Sequence, residues 1–429
     1  MTDAPQNARG FWLLLCGYAV SSYGNYLNLI ALGLFSYHWT GSAWATGAVM
    51  AIRLGAGFVT GLLSGRVQSR VSRRPLLIGM DLVQAAAMVA IVLAPSLPML
   101  VLVAVLLGVG NTTLVVALRS GVPDLVGADD RARANGRLVT ARSLATVLGF
   151  GSAGLVIDLG GYTAAFLLNA GSFLISALAL LFVTWPADEA EPLVKAAAEP
   201  SANSQAAPPA PPDAAATAGG GERLSLWRML PLVVGGMVVV RGLDALASAG
   251  HNVALPIFAS TTAPGNPASL MAEFMTSWAI GSLCAHQLVS RLIKTIDHRL
   301  FAAATCVMSV CFVLAFTGLP TVWLIAVCLL AGIADGVTEI GYVSTLQTLP
   351  GPQRTRLFGL SASVENSAFG GGMVIAAGLL EIAPVLPVVA GFHGVAVTGV
   401  MVLLLLSMRR THDGERVDQS RSAAGIDPE

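Results

Sequence analysis

Charge is what this sequence has least of. Asp, Glu, Lys and Arg make up 11% of its 429 residues, where a soluble domain carries about 25%. Hydrophobic residues reach 55%, too many for a water-exposed surface, so the chain reads as an all-α membrane protein. Lysine is nearly missing, with only Lys195 and Lys294 among the arginines; that bias fits a GC-rich bacterial genome. The formal net charge is zero, which removes nucleic acid from the expected partners, because phosphate backbones demand a basic face. The five cysteines (Cys16, Cys284, Cys306, Cys311 and Cys328) all sit inside apolar segments without zinc-like spacing. They read as small hydrophobes in helices, not as metal ligands or a disulfide frame. Metalloprotease, hydrolase-elbow and phosphate-loop motifs are missing, and no polar stretch is long enough for a soluble catalytic domain. An enzyme is not expected, nor a cofactor, nor a metal. The opening MTDAPQNARG lacks a basic cluster with a cleavage site, so the first apolar run is expected to stay as a helix.

What the chain has in abundance is apolar length. A helix needs about 20 residues to cross ~30 Å of hydrocarbon. By that measure six spans are predicted at 11–37, 42–67, 75–94, 98–121, 136–157 and 162–184. Six more are predicted at 228–259, 269–292, 298–318, 321–346, 358–382 and 386–408. Between the two sets, 186–225 holds Pro208, Pro209, Pro211, Pro212, an alanine-rich run and the glycines Gly219 to Gly221. It carries no helical or strand period and reads as a solvated tether. The flanks resemble each other in one register. Leu106 and Leu107 fall on Leu329 and Leu330, Arg131 and Arg133 on Arg354 and Arg356, Gly136 on Gly359, and Ala31 and Leu32 on Ala254 and Leu255. The expected organisation is a duplicated unit: an N-terminal six-helix bundle over 1–185, the linker over 186–225, a C-terminal six-helix bundle over 226–410 and a tail over 411–429.

Arginine placement orients the spans. Arg66, Arg70, Arg73 and Arg74 follow the second span, and Arg131, Arg133 and Arg137 the fourth. Arg291, Lys294 and Arg299 follow the eighth, Arg354 and Arg356 the tenth, and Arg409 and Arg410 the twelfth. The alternate turns, 38–42, 95–98, 260–267, 317–320 and 382–387, carry no Lys or Arg. Both termini and the linker are therefore expected in the cytoplasm, with the protein multi-pass in a bacterial inner membrane.

Two parallel six-span repeats joined by a cytoplasmic linker resemble the major facilitator superfamily. After the second span, GLLSGRVQSRVSRRPLLIGMDL resembles its loop signature, matching at Gly65, Arg70, Arg73 and Arg74, with Ser69 in place of the usual Asp and Ser72 in place of Gly. In the fifth span, ATVLGFGSAGLV is similar to the glycine-rich antiporter signature at Gly149, Gly151 and Gly154, with Phe150 replacing the proline. TGSAWATGAV (40–49), PDLVGADDRARANG (123–136) and AAFLLNAGSFLISAL (164–178) are similar to the branch holding macrolide-efflux proteins and the enterobactin exporter. The resemblance implies a monomeric proton-coupled antiporter that works by alternating access and exports an amphipathic drug, antibiotic or siderophore.

Charges at bilayer depth cost about 2.5–3.5 kcal/mol each on insertion scales, so those that persist face a cavity or a partner. Asp244 in the seventh span and Asp335 in the tenth are candidate proton carriers, with Glu339 one turn from Asp335. The alternative for the two aspartates is a permanent ion pair with Arg241 or Arg53. Candidate cavity residues are Tyr23, Tyr26, Asn25, Asn28, Arg53, Arg241 and His251. Arg53 is expected to serve as counter-ion to an acid or as anchor for an anionic substrate. Arg142 and Glu365 occupy equivalent positions in the two repeats and are candidate gate residues, with Gly149, Gly154, Gly371, Arg70, Arg73 and Arg74. Two rivals to export stay open, a nutrient importer or facilitator and a non-transporting membrane receptor or assembly partner.

Overall fold

Hydrocarbon offers no partner for a backbone amide, and a helix satisfies its own. The computed structural model is accordingly all-helical among the residues it describes, which are 8–68, 72–126, 131–183, 232–292, 297–347 and 351–423. The 186–225 linker and Arg70 lie outside the described residues. The first half contains α1 (Ala8–Thr40), α2 (Ala43–Gln68), α3 (Arg73–Leu93), α4 (Leu97–Val126) and the stretch Arg131–Leu181. That stretch breaks at Gly161, whose φ of 66° and ψ of −173° favour a residue without Cβ. It is therefore two helices, α5 (131–160) and α6 (162–181). The second half contains α7 (Leu232–Thr262), α8 (Pro267–Leu292), α9 (His298–Ala315), α10 (Thr321–Gln347), α11 (Gly351–Leu380) and α12 (Val385–Ala423). α12 runs beyond the predicted limit of 408, so part of the 411–429 tail is helical.

By length and hydropathy, eight helical segments among the described residues qualify to cross a membrane, where twelve were predicted. They lie in α2, α3, α4, the α5–α6 stretch, α7, α9, α10 and α12; α1, α8 and α11 fall short. The shortfall has a physical reason. α1 carries Ser21, Ser22, Asn25, Asn28 and Ser36, all buried, while α8 holds Glu273 and His286 and α11 holds Glu365 and Asn366. A helix whose polar side chains face inward loses mean hydropathy without presenting polarity to lipid. The outer helices do the opposite. Leu82, Leu174, Ile175, Leu178, Val310 and Met401 on α3, α6, α9 and α12 are large, apolar and exposed, as a lipid-facing surface requires.

Neighbour relations repeat between the halves. α2 packs on α4 as α8 packs on α10, and α1 packs on the α5–α6 stretch as α7 packs on α11 and α12. Glycines at the crossing let each of the first two pairs close. A Cβ on Gly108 would lie 2.0 Å from the Arg53 carbonyl oxygen, and one on Gly332 would lie 2.0 Å from that of Trp278. The main apolar core spans both halves, drawing on α1, α6, α7 and α8 through Leu32, Phe166, Phe258 and Met271. Two further cores are confined to one half each, Phe11–Leu118–Leu180 in the first and Val234–Tyr342–Leu403 in the second. The halves are therefore joined at one end, here the turn end, which carries Gly41, Gly161 and Glu381. They stand apart at the other, the arginine end, which carries Arg73, Arg74, Arg133 and Arg137.

Gly332→Ala is expected to destabilise the protein by about 1–3 kcal/mol through overpacking, seen as a lower melting temperature in detergent. Gly394→Ala, where an added Cβ meets nothing within 4 Å, serves as the control and is expected to leave that temperature unchanged or slightly raised. Equal melting temperatures for the two variants would contradict the close α8–α10 crossing.

Candidate functional site

Where the halves part, a cavity of about 620 Å³ opens between α1, α2 and α4 on one side and α7, α8 and α11 on the other. Its wall is mainly apolar, with Met50, Leu54, Phe58, Phe369 and Met373. Polar groups come from Asn111, Thr112, Asn252, Ser363 and Asn366, and Arg53 is its one charged lining residue. Arg53 had been placed there from the sequence. The three asparagines had not, although an Asn inside an apolar run was itself a readable signal.

The other predicted cavity residues sit elsewhere. Tyr23 shares a hydrogen bond with Ser152 at 2.9 Å, and the Tyr26 hydroxyl accepts one from Arg142 Nε at 2.9 Å. Both pairings tie α1 to α5. Asn25 and Asn28 are buried in α1, and both side-chain polar atoms of Asn28 lack a partner among the described residues. His251 is sealed inside the second half, its Nδ1 3.1 Å from Nε2 of His393 and its ring stacked on Phe312 at 4.1 Å. His393 went unnoticed in the sequence because no spacing connects it with His251.

Arg241 organises the acids. Its Nη1 donates to Asp244 Oδ2 at 3.3 Å, one turn along α7, and its Nη2 to Glu365 Oε2 at 3.4 Å, across to α11. Its guanidinium lies over the Tyr342 ring, 5.7 Å from the centroid. Tyr342 bonds Ser361, and Ser361 Oγ donates to Glu365 Oε1 at 2.6 Å. The charges of Asp335 and Glu339 on α10 also reach Arg241. Arg241 thus pairs with two carboxylates, from α7 and α11, and lies within the field of two more on α10. The structure pairs Asp244 with Arg241, and it does not pair Arg142 with Glu365. Among the carboxylates, the one whose field reaches Arg142 across the gap is that of Glu339. Of the glycines, Gly149 lies against Tyr23 and Tyr26, Gly154 against Ser269 of the other half, and Gly371 faces open space.

A family model described as Major Facilitator Superfamily matches residues 14–376. The chain belongs to the major facilitator superfamily. It is a secondary transporter and not an enzyme, with a bilayer around it and a small molecule as cargo. No sequence relative is found among curated proteins. Solved superfamily folds superpose along nearly the full length. The nucleoside transporter NupG aligns with a TM-score of 0.66 at 15% identity, over 92% of this chain and 98% of its own. The peptide transporter PepTSo of the POT family gives 0.68 at 11%, over 96% and 99%. A bacterial homologue of the lysosomal transporter Spinster, solved inward-facing and unoccupied, gives 0.64 at 14%, over 94% and 96%. At such identities the likeness is one of fold.

In this superfamily member the turn end is fastened across the halves. Glu381, just past α11, accepts from Ser42 Oγ at 2.6 Å and from the Trp44 amide at 2.8 Å, so one carboxylate caps the N-terminus of α2. Ser269 at the start of α8 donates to Asp158 at the end of α5 at 3.2 Å. The Ser42 hydroxyl, and after it the Trp44 amide, hold the Glu381 carboxyl below its usual value of 4.5. A depressed carboxylate contributes above its ordinary pKa and stops contributing as pH falls through the lowered one. Glu381→Gln is accordingly expected to lengthen the distance between spin labels at positions 39 and 382 at pH 7. Acidifying the wild type below pH 4.5 is expected to do the same, with no further effect on the variant. An unchanged distance distribution in Glu381→Gln would show that the cap does not hold the turn end shut.

Proposed function

We propose that this transporter is a proton-coupled exporter of amphipathic small molecules, working as a monomer by alternating access in a bacterial inner membrane. The reading takes all twelve predicted spans as membrane crossings and places both termini, the linker and the arginine end in the cytoplasm, on the strength of arginine placement. The state described is then inward-open, with the cavity loading from the cytoplasm and Glu381 fastening the outer side. The observation that carries the proton step is Arg241 shared by Asp244 and Glu365, with Asp335 and Glu339 close behind. Four acids around one cation hold more negative charge than the cation balances, so a proton is the natural occupant of the remainder. Its arrival from outside would neutralise one carboxylate, loosen the α7–α11 bridge and favour return to the inward state. Re-formation of the Arg241 bridge to Asp244 and Glu365 as the inner side opens would release it to the cytoplasm, because a guanidinium beside a carboxylate lowers its affinity for a proton.

The cavity favours an amphipathic cargo, because aliphatic and aromatic side chains make most of its wall and amides punctuate it. The efflux branch resembled by the sequence supports the outward direction. A second reading, uptake of a polar nutrient, draws on Asn111, Asn252 and Asn366 in the wall and on likenesses to nucleoside and peptide transporters. Transport in proteoliposomes of known orientation separates the two. A pH gradient, acid on the outer face, is expected to drive an apolar fluorescent dye out through the wild type. Asp244→Asn and Asp335→Asn are each expected to reduce this flux to the level of empty liposomes. Undiminished gradient-driven flux in both variants would refute the coupling scheme, and accumulation on the arginine side would favour uptake.

A further inference from the structure

Among the described residues the cavity wall holds one charge, and no acid there answers it. Arg53 projects from α2 among apolar and amide groups, and its Nη1 is sealed from solvent without a protein partner among the described residues. The titratable group whose field reaches Arg53 is the phenol of Tyr26, not a carboxylate. That phenol is already engaged, accepting from Arg142. Asp244 and Glu365 are committed elsewhere, to Arg241, with Asp335 and Glu339 within its field, and the buried Asp81 on α3 is bonded to Ser176. A lone guanidinium at bilayer depth is costly and is retained where something completes it.

We propose that the missing partner is the cargo, and that the transported molecule carries an anionic group, a carboxylate or sulfonate, seated on the Arg53 fork with its apolar body against Met50, Phe58 and Phe369. This inference deepens the exporter reading above and rests on its identification of the cavity as the cargo site. A planar guanidinium presents paired donors that fit a flat or tetrahedral oxyanion, and such charge-assisted bonds are about twice as strong as neutral ones. Asn252 and Asn366 on the opposite wall offer neutral donors and acceptors, so they fit the polar decoration of the body and add no second charge.

Two dyes isolate the charge. 8-Anilinonaphthalene-1-sulfonate and N-phenyl-1-naphthylamine share one ring system, and only the first bears an anion. Equilibrium dialysis against the full chain in nanodiscs of neutral lipid, with empty discs subtracted, is expected to give the sulfonate at least about tenfold tighter binding. The preference is expected to hold from pH 6 to pH 8, because neither group titrates there. In Arg53→Gln the ratio of affinities is expected to fall to near one, and Arg53→Lys to restore part of it. Equal affinity of the wild type for both dyes overturns the proposal without recourse to any variant, as does a preference that Arg53→Gln retains. Loss of the preference when phosphatidylglycerol is added to the discs would assign the site to a lipid headgroup and overturn its assignment to a transported solute. Dialysis needs no gradient, so failure of proton-coupled export would leave the preference standing. Failure of the preference would leave gradient-driven export of the neutral dye untouched.

Discussion

A charge taken out of water must find a partner or a polar hollow, and most of this molecule follows from how it meets that demand. Arg241 meets it by binding Asp244 on its own helix and Glu365 on α11, with Tyr342 beneath it. Removing one member of such a set leaves the others buried and uncompensated, a loss of roughly 3–5 kcal/mol for a buried pair. The bridge therefore fixes α7 against α11, two helices that also help wall the cavity. Arg53 meets the demand differently, by standing on the cavity wall. Around Arg241 the second half gathers more acid than that cation balances, while on the cavity wall of the first half Arg53 stands without an acid partner among the described residues.

The same constraint explains the shape. Apolar side chains from both halves merge into one core toward the turn end, where Phe166, Phe258 and Met271 belong to a single cluster. Toward the arginine end each half closes over its own core, and the space between is the cavity. Gly33 and Pro256, equivalent positions in the two repeats, approach each other within two turns of the turn-end termini of α1 and α7, a Cβ on Gly33 lying 3.2 Å from the proline ring. Equivalent residues meet where a two-fold relation passes between them. Under the proposed mechanism this contact is where the halves would pivot, one end opening as the other closes, as alternating access between two repeats requires.

Much of this was legible in the sequence, and the rest was hidden for identifiable reasons. Apolar run length located the helices, and the register linking Leu106 with Leu329 announced the repeated packing of α2 on α4 and α8 on α10. Hydropathy falls short in α1, α8 and α11, because their Ser, Asn, Glu and His lower an average that ignores direction. Asp244, Arg241 and Glu365 were each visible as intramembrane charges, but the bridge joining them was not. It links positions 124 residues apart in sequence, and the repeat symmetry pointed Glu365 toward Arg142 instead. The cavity asparagines stayed unread for a similar reason. Which face of a long apolar helix turns inward is settled by its neighbours, and those come from the other half of the chain.

Under the proposed coupling, cargo and proton compete through the acids gathered on Arg241. Calorimetry of dye binding in two buffers of different ionisation enthalpy measures that competition directly, without a membrane gradient. The account predicts net proton release on binding near neutral pH in the wild type, and none in Asp244→Asn combined with Asp335→Asn. A binding enthalpy that is the same in both buffers for the wild type would contradict it.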